Sequence, residues 1–438
     1  MKKYKVVIKI ICFILFFCII NKTLCFLAVD DTNSFTRIMM HELYYPDSNI
    51  DVLFLGASHC YRSLDTRITD KVFQCNTFNA GSSNQSADGT YSLLCEAVKR
   101  NKIQKVYVEV GYAMPRYETG YKDRTQMTGT YIISDYMKPS YNKARFLLQA
   151  SSAKHYANSF FPARRSWEIF FHPAEMLKLL QKKFSKEYRE YGYVVNGNEE
   201  YCGKGFVEDD TEIPTGGFYS MEEYQKIEDS RWSEDWQESI RQVIQLCEEK
   251  GIALTFFSAP MPDFLLVASG EYDQYIEFMD SLLEGSSAQY YDFNLCKPQY
   301  LSLTENNFKD DNHLNTKGAK IFSGLFSEYF AGGLSGENIF YGSYQEKIAA
   351  QKDTVYGVVV KDNKEKGELS LEAVTNADSM EEIFYIAERT GRDGQSVTQK
   401  SSICGLLPYS SGESGIVDIR VYFKGVETNH ISVPYGAE

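Results

Sequence analysis

An apolar run at residues 52–55 (VLFL) stops at Gly56-Ala57-Ser58 and gives way at once to a helical pattern, and the same change recurs down the chain. Helix-spaced Tyr91, Leu94, Ala97 and Val98 lead into a β-branched run at 106–110 (VYVEV). Trp236, Ile240, Val243, Ile244 and Cys247 stripe a second helix that Gly251 ends, before a buried-strand run at 252–257 and a last strand at 290–293. Strands that alternate with helices are joined by crossovers rather than hairpins, so they predict one parallel sheet with helices on both faces. Thr316 is placed to cap a closing helix whose Ala319, Phe322, Leu325, Phe326 and Tyr329 share a face.

Between these blocks, from about 114 to 231, periodicity weakens and aromatic residues such as Tyr131, Tyr136, Trp167, Phe170 and Phe171 crowd in. That stretch reads as an insertion, either a lid over the carboxyl ends of the strands or extra helices burying aromatics. Beyond Gly332-Gly333, alternation through Leu369, Leu371 and Ala373, and again through Val417, Ile419, Val421 and Phe423, predicts a small antiparallel β domain over 338–438. It reads as a glycan-binding or a packing module. The α/β domain then covers 31–331, behind an N-terminal segment of residues 1–30.

In that segment Lys2, Lys3, Lys5 and Lys9 precede an unbroken apolar run at 10–20, and a second apolar patch follows Lys22. A positive start before an apolar run fits an uncleaved signal anchor or a cleaved signal peptide, and either places the rest outside the cytoplasm. Net charge is −13 with no dense basic block, which argues against a nucleic-acid partner. Three of the ten cysteines, Cys12, Cys18 and Cys25, lie in the apolar leader. The others are scattered without metal-binding spacing, so free, buried thiols are expected and no metal or cofactor is. One pair, Cys60 with Cys75 or Cys95, stays open.

A small-small-Ser turn at the carboxyl end of a strand presents its hydroxyl above the sheet, where the amides of the next helix point. Ser58 is therefore a candidate nucleophile, and a nucleophilic serine needs a base and oxyanion donors. The base is found in Asp310-Asp311-Asn312-His313, just before the closing helix. His313 can take the Ser58 proton, and an acid three residues earlier, Asp310, can hold the far imidazole nitrogen. His59 sits beside Ser58 and reads as a substrate contact or a support rather than the base. Cys60 reads as a buried helix residue. A metal on Asp310, Asp311 and His313 would need a further ligand that the sequence does not place.

These residues resemble the SGNH hydrolases, or GDSL-type esterases. Gly56-x-Ser58 looks like their nucleophile block, Phe78-Asn79-Ala80-Gly81 like their second block with its oxyanion-hole glycine, and Asp310-x-x-His313 like their last block. The likeness covers about 48–112 and 235–331. It implies a flavodoxin-like three-layer α/β sandwich with a Ser58–His313–Asp310 triad, and an oxyanion hole from the Ser58 and Gly81 amides. Ala57 departs from the usual Asp, and Val108-Glu109-Val110-Gly111-Tyr112 stands where the family has Gly-x-Asn-Asp. Asn84 is the nearest substitute donor. The Gly-x-Ser-His form with its leader is similar to the membrane-anchored extracytoplasmic branch, which implies an esterase or O-acyltransferase acting on a cell-surface polysaccharide or teichoic-type polymer. The alternative is a non-catalytic assembly or glycan-binding protein that keeps the fold.

Overall fold

The computed structural model describes residues 2–112, 115, 127–213, 217–221, 224, 232–391, 396–402, 405–410 and 412–436. The boundaries read from sequence at residues 1, 114, 231 and 438 lie outside them.

The chain opens with an apolar helix, Lys2–Ala28. Strand β1 (Val52–Leu55) is buried at every position, which is why its sequence shows an unbroken apolar run instead of alternation. β2 (Thr77–Asn79) and β3 (Lys105–Glu109) pair parallel to β1 on opposite sides, with Leu53 opposite Phe78 and Val106. The chain then leaves the sheet through helices that include Thr128–Ser134, Tyr141–Ala150 and Pro173–Lys183. A small antiparallel sheet follows, made of β4 (Val195–Asn196), β5 (Glu199–Tyr201) and β6 (Val207–Asp209), and then comes β7 (Phe218–Ser220).

Helix Glu234–Lys250 brings the chain back, started by the Ser233 side chain and stopped by Gly251 at φ 67°. It feeds β8 (Ala253–Ser258), which pairs parallel to β3, and β9 (Gln289–Asp292) completes a five-stranded parallel sheet in the order β2-β1-β3-β8-β9. The closing helix spans Thr316–Phe330. Its cap is Asn315 rather than Thr316: Asn315 Oδ1 accepts the Lys317 and Gly318 amides, and Thr316 is the first helical residue. An amide oxygen one residue earlier reaches two free N–H groups, which a threonine inside the turn cannot do.

The C-terminal part holds β10 (Val355–Asn363), β11 (Glu368–Thr375), β12 (Ile383–Gly391), β13 (Ser396–Ser402), β14 (Leu406–Pro408), β15 (Gly415–Phe423) and β16 (Val426–Tyr435). They form two four-stranded sheets, β14-β11-β10-β7 and β13-β12-β15-β16, that bury Val358, Val360 and Leu371 against Ala387, Ile419 and Val433 in one core. The pairing is antiparallel except at β7, which lies parallel to β10. The excursion therefore lends one strand to the C-terminal sandwich. Cys60, Cys75 and Cys95 are free thiols, so the pairing left open from sequence does not form.

Candidate active site

Strand order reverses between β1 and β3, and in open parallel sheets the crevice outside the carboxyl ends at such a reversal is where ligands sit. Ser58 follows β1 there, and Glu109 ends β3 there. The turn between β1 and Ser58 needs glycine. Gly56 has φ 149°, and a Cβ on it would stand 2.7 Å from the Glu109 Cβ and 3.0 Å from the Cys60 Cβ. Ser58 becomes the first residue of the short helix Ser58–Ser63, half-buried, with its amide among those that have no acceptor within the helix.

The loop before the closing helix carries the other two groups. Phe308 bridges to Leu314, and Lys309 N–H donates to His313 O at 3.0 Å. Inside that turn Asp310 Oδ1 accepts the amides of Asn312 at 2.9 Å and His313 at 2.6 Å. The His313 ring then stands with Nδ1 3.1 Å from both Asp310 oxygens and Nε2 2.7 Å from Ser58 Oγ. Burial alone would raise the Asp310 pKa, but the His313 ring, its charge and the two amides outweigh burial and bring it down to about 2. An ionised carboxylate only accepts, so the His313 proton belongs on Nδ1 and the bare Nε2 accepts the Ser58 hydroxyl. The three residues singled out in the sequence are thus brought together in hydrogen-bonded order.

His59 stacks on His313, ring centroids 4.6 Å apart and planes 19° from parallel. Its Nε2 lies 3.2 Å from Asn312 O and 2.9 Å from Asn312 Oδ1, and a backbone carbonyl can only accept, so Nε2 carries the proton. Burial and the neighbouring His313 lower the His59 pKa, against an opposing pull from Glu109. His59 makes no hydrogen bond to Ser58 Oγ; it braces His313 and the Asn312 turn. Glu109, which sequence reasoning passed over, is buried beneath the turn and accepts the Ala57 amide at 3.3 Å. Burial raises its pKa, opposed by His59 and that amide.

The oxyanion candidates are placed unevenly. Ala80 and Ser82 donate to Phe54 O and Gly56 O, which runs Gly81 alongside the Ser58 turn. The Gly81 amide, however, donates to Asn79 Oδ1 at 3.0 Å. Asn79 is a brace, since its Nδ2 donates to Cys60 O and Leu64 O and its Oδ1 also takes the Cys60 thiol. Asn84 is exposed at φ 50°, with no hydrogen bond to Ser58 or His313 among the described residues. Cys60 is fully buried, and burial pushes its thiol well above the ordinary range, away from nucleophilic use.

A charge cluster that sequence reasoning missed pins the His313 loop. Lys309 Nζ meets Asp209 at 2.5 Å and Glu199 at 3.2 Å, and buried Arg62 pairs with the same two carboxylates. Helix Ser58–Ser63, the small sheet and the His313 loop are thereby tied to one another. Asp311 accepts the Tyr224 hydroxyl. Among the described residues no three His, Cys, Asp or Glu side chains converge as a metal site.

No family model matches the chain, and no curated protein does. Among solved structures it is similar to a Streptococcus pneumonia protein described as a candidate platelet activating factor, at TM-score 0.33 and 9% identity over 67% of this chain and 90% of that one. It is also similar to a two-domain esterase (CEX) described as active on acetylated mannans, at TM-score 0.24 and 9% identity over 94% of this chain and 98% of that one. At that level of likeness, the chemistry of this chain rests on its own residues.

Proposed function

We propose that this chain is an SGNH-type serine esterase or O-acyltransferase that works through an acyl-enzyme on Ser58. The observation that carries the reading is the continuous hydrogen-bonded row of Ser58 Oγ, His313 and Asp310 at the sheet's switch point. Ser58 Oγ attacks the acyl carbonyl carbon as His313 Nε2 takes its proton, while Asp310 stabilises the resulting imidazolium. The oxyanion is met by the Ser58 amide, and by the Gly81 amide once it lets go of Asn79. Collapse expels the alcohol, which collects the proton from Nε2 and leaves the acyl group on Ser58. Water or a sugar hydroxyl, deprotonated by His313, then takes the acyl group.

The substrate proposed is an acylated cell-surface polysaccharide or teichoic-type polymer. What supports it is the apolar N-terminal helix behind Lys2, Lys3 and Lys5, read as an anchor that leaves the rest on the extracytoplasmic side. The test is acetate release from an O-acetylated polysaccharide and from a small acetyl ester, with Ser58→Ala beside the wild type. Release by wild type that falls by about 10³-fold or more in the variant supports the reading. One observation favours the alternative of a non-catalytic glycan-binding or assembly protein: the Gly81 amide is already engaged by Asn79. Equal release by the variant would overturn the Ser58 chemistry, and no release by the folded wild type would select that alternative.

A further inference from the structure

The 3₁₀ stretch Pro162–Phe171 and the helix Pro173–Lys183 leave large apolar side chains in the open: Trp167 is 56% exposed, Phe171 67%, Leu177 58% and the adjoining Phe184 65%. Soluble surfaces seldom gather apolar groups of this size without a partner. The patch is continuous with the N-terminal helix. The Phe17 ring meets Phe161 edge-on at 5.4 Å, Phe26 meets Phe184 at 5.6 Å, and Asn21 Nδ2 donates to Phe160 O at 3.2 Å.

The helix itself changes character at this level. The described side chains from Val6 to Phe13 and from Leu15 to Ile20 stand bare, whereas Ala28 is buried against the protein. The segment Lys5–Ala28 is long and apolar enough to cross a membrane. Asn21 and Lys22 end its unbroken apolar run, and Phe17 lies four residues, about 6 Å of helix, below Asn21. Phe161 on Phe17 and Phe184 on Phe26 therefore mark levels nine residues, about 13 Å of helix, apart in the half of that segment nearer Ala28. Asn21, costly in hydrocarbon, has its amide satisfied there by a backbone carbonyl. Exposed Lys178 and Lys182 on the same helix as Leu177 supply the cationic side chains that interfacial segments turn toward anionic headgroups.

We propose that residues 156–184 are a second membrane-contacting element, a wedge that seats Trp167, Phe170, Phe171 and Leu177 in the headgroup and upper acyl layer of the bilayer crossed by the N-terminal helix. The proposal rests on the anchor reading of that helix and is independent of the Ser58 chemistry. Its occupant is lipid, because the patch continues a surface that is itself apolar, bare and of bilayer length. With the wedge seated, the catalytic body is held at one height and tilt above the membrane instead of swinging on a single helix.

The chain's three tryptophans make this measurable. Trp236 is buried and Trp232 is stacked on Phe278, so Trp167 is the one with a large exposed surface. The full chain is reconstituted in phosphatidylethanolamine–phosphatidylglycerol vesicles with chain-brominated lipids, beside Trp167→Phe, and quenching by lipid bromine is compared with quenching by aqueous iodide. The expected result is an emission component, absent from Trp167→Phe, that brominated lipid quenches strongly and iodide hardly touches. Quenching of that component by iodide and not by lipid would overturn the wedge. Protection from both quenchers would also overturn it, and would place Trp167 against a protein surface such as a second copy of the chain. Flotation with the vesicles reads the anchor separately: a chain that does not float removes both readings, and one that floats without lipid quenching removes the wedge alone.

Discussion

At the residue scale the site makes two predictions of opposite sign. Asp310 is held down to about 2, so its contribution to stability is complete above its ordinary value of 3.8 and is lost only as pH falls through about 2. Asp310→Asn should therefore lose that contribution at neutral pH while keeping the fold, and should lower kcat by about 10²–10⁴-fold with little change in KM, because the His313 tautomer is no longer fixed. Steady-state kinetics on the variant check this. Glu109 runs the other way. Its pKa is raised by burial, so the folded state holds its proton longer than the unfolded chain, and stability falls as pH rises above 4.5 through the raised value. Glu109→Gln should flatten that decline in Tm against pH, and an unchanged slope would remove Glu109 as its cause. Ser58, His313 and Asp310 were legible because each carries a chemical type in a marked local context, a strand-ending turn or a helix-opening loop. Glu109 was not, since one carboxylate at the end of an apolar strand looks like an edge residue until its burial is known.

The elements were legible where their period was strong and hidden where they were short. The stripe Trp236 to Cys247 closed by Gly251 predicts the helix Glu234–Lys250, and the apolar run of β8 follows it. Asn315 displaced Thr316 as cap because either residue can cap, and only geometry shows whose oxygen reaches the free amides. The cluster of Arg62, Glu199, Asp209 and Lys309 could not be read at all, because its members are scattered along the chain and each alone looks like an ordinary surface charge. Among the turns, Gly56 is the most demanding. A methyl there meets the Glu109 Cβ at 2.7 Å and is strained at φ 149° whatever the space. Gly56→Ala should cost about 1–3 kcal/mol in backbone strain and lower activity by moving Ser58. Thermal melts read with ester turnover test it, and a variant with wild-type melting and turnover would contradict the tight-turn explanation.

At the scale of the molecule, the C-terminal sandwich is joined to the site through β7. Phe218 stacks on Phe264 at 6.1 Å and meets Phe308 edge-on at 5.6 Å, and Phe308 bridges the loop that holds Asp310 and His313. The alternation in 369–373 and 417–423 announced an antiparallel β unit, but nothing in three residues, Phe218–Ser220, marked a strand borrowed from elsewhere in the chain. A chain ended after residue 351 leaves β7 unpaired and should lose on the order of tenfold to a hundredfold in kcat through misplacement of His313, with Ser58, Asp310 and His313 all still present. Full kcat in the truncated chain would show that the sandwich does not support the site. The most direct test of the central claim is labelling of the full chain with a fluorophosphonate probe and mapping of the modified residue by mass spectrometry, with Ser58→Ala and His313→Ala alongside. The triad geometry predicts modification at Ser58 in the wild type and none in either variant. A folded wild type that stays unlabelled, or labelling that survives in Ser58→Ala, would contradict it.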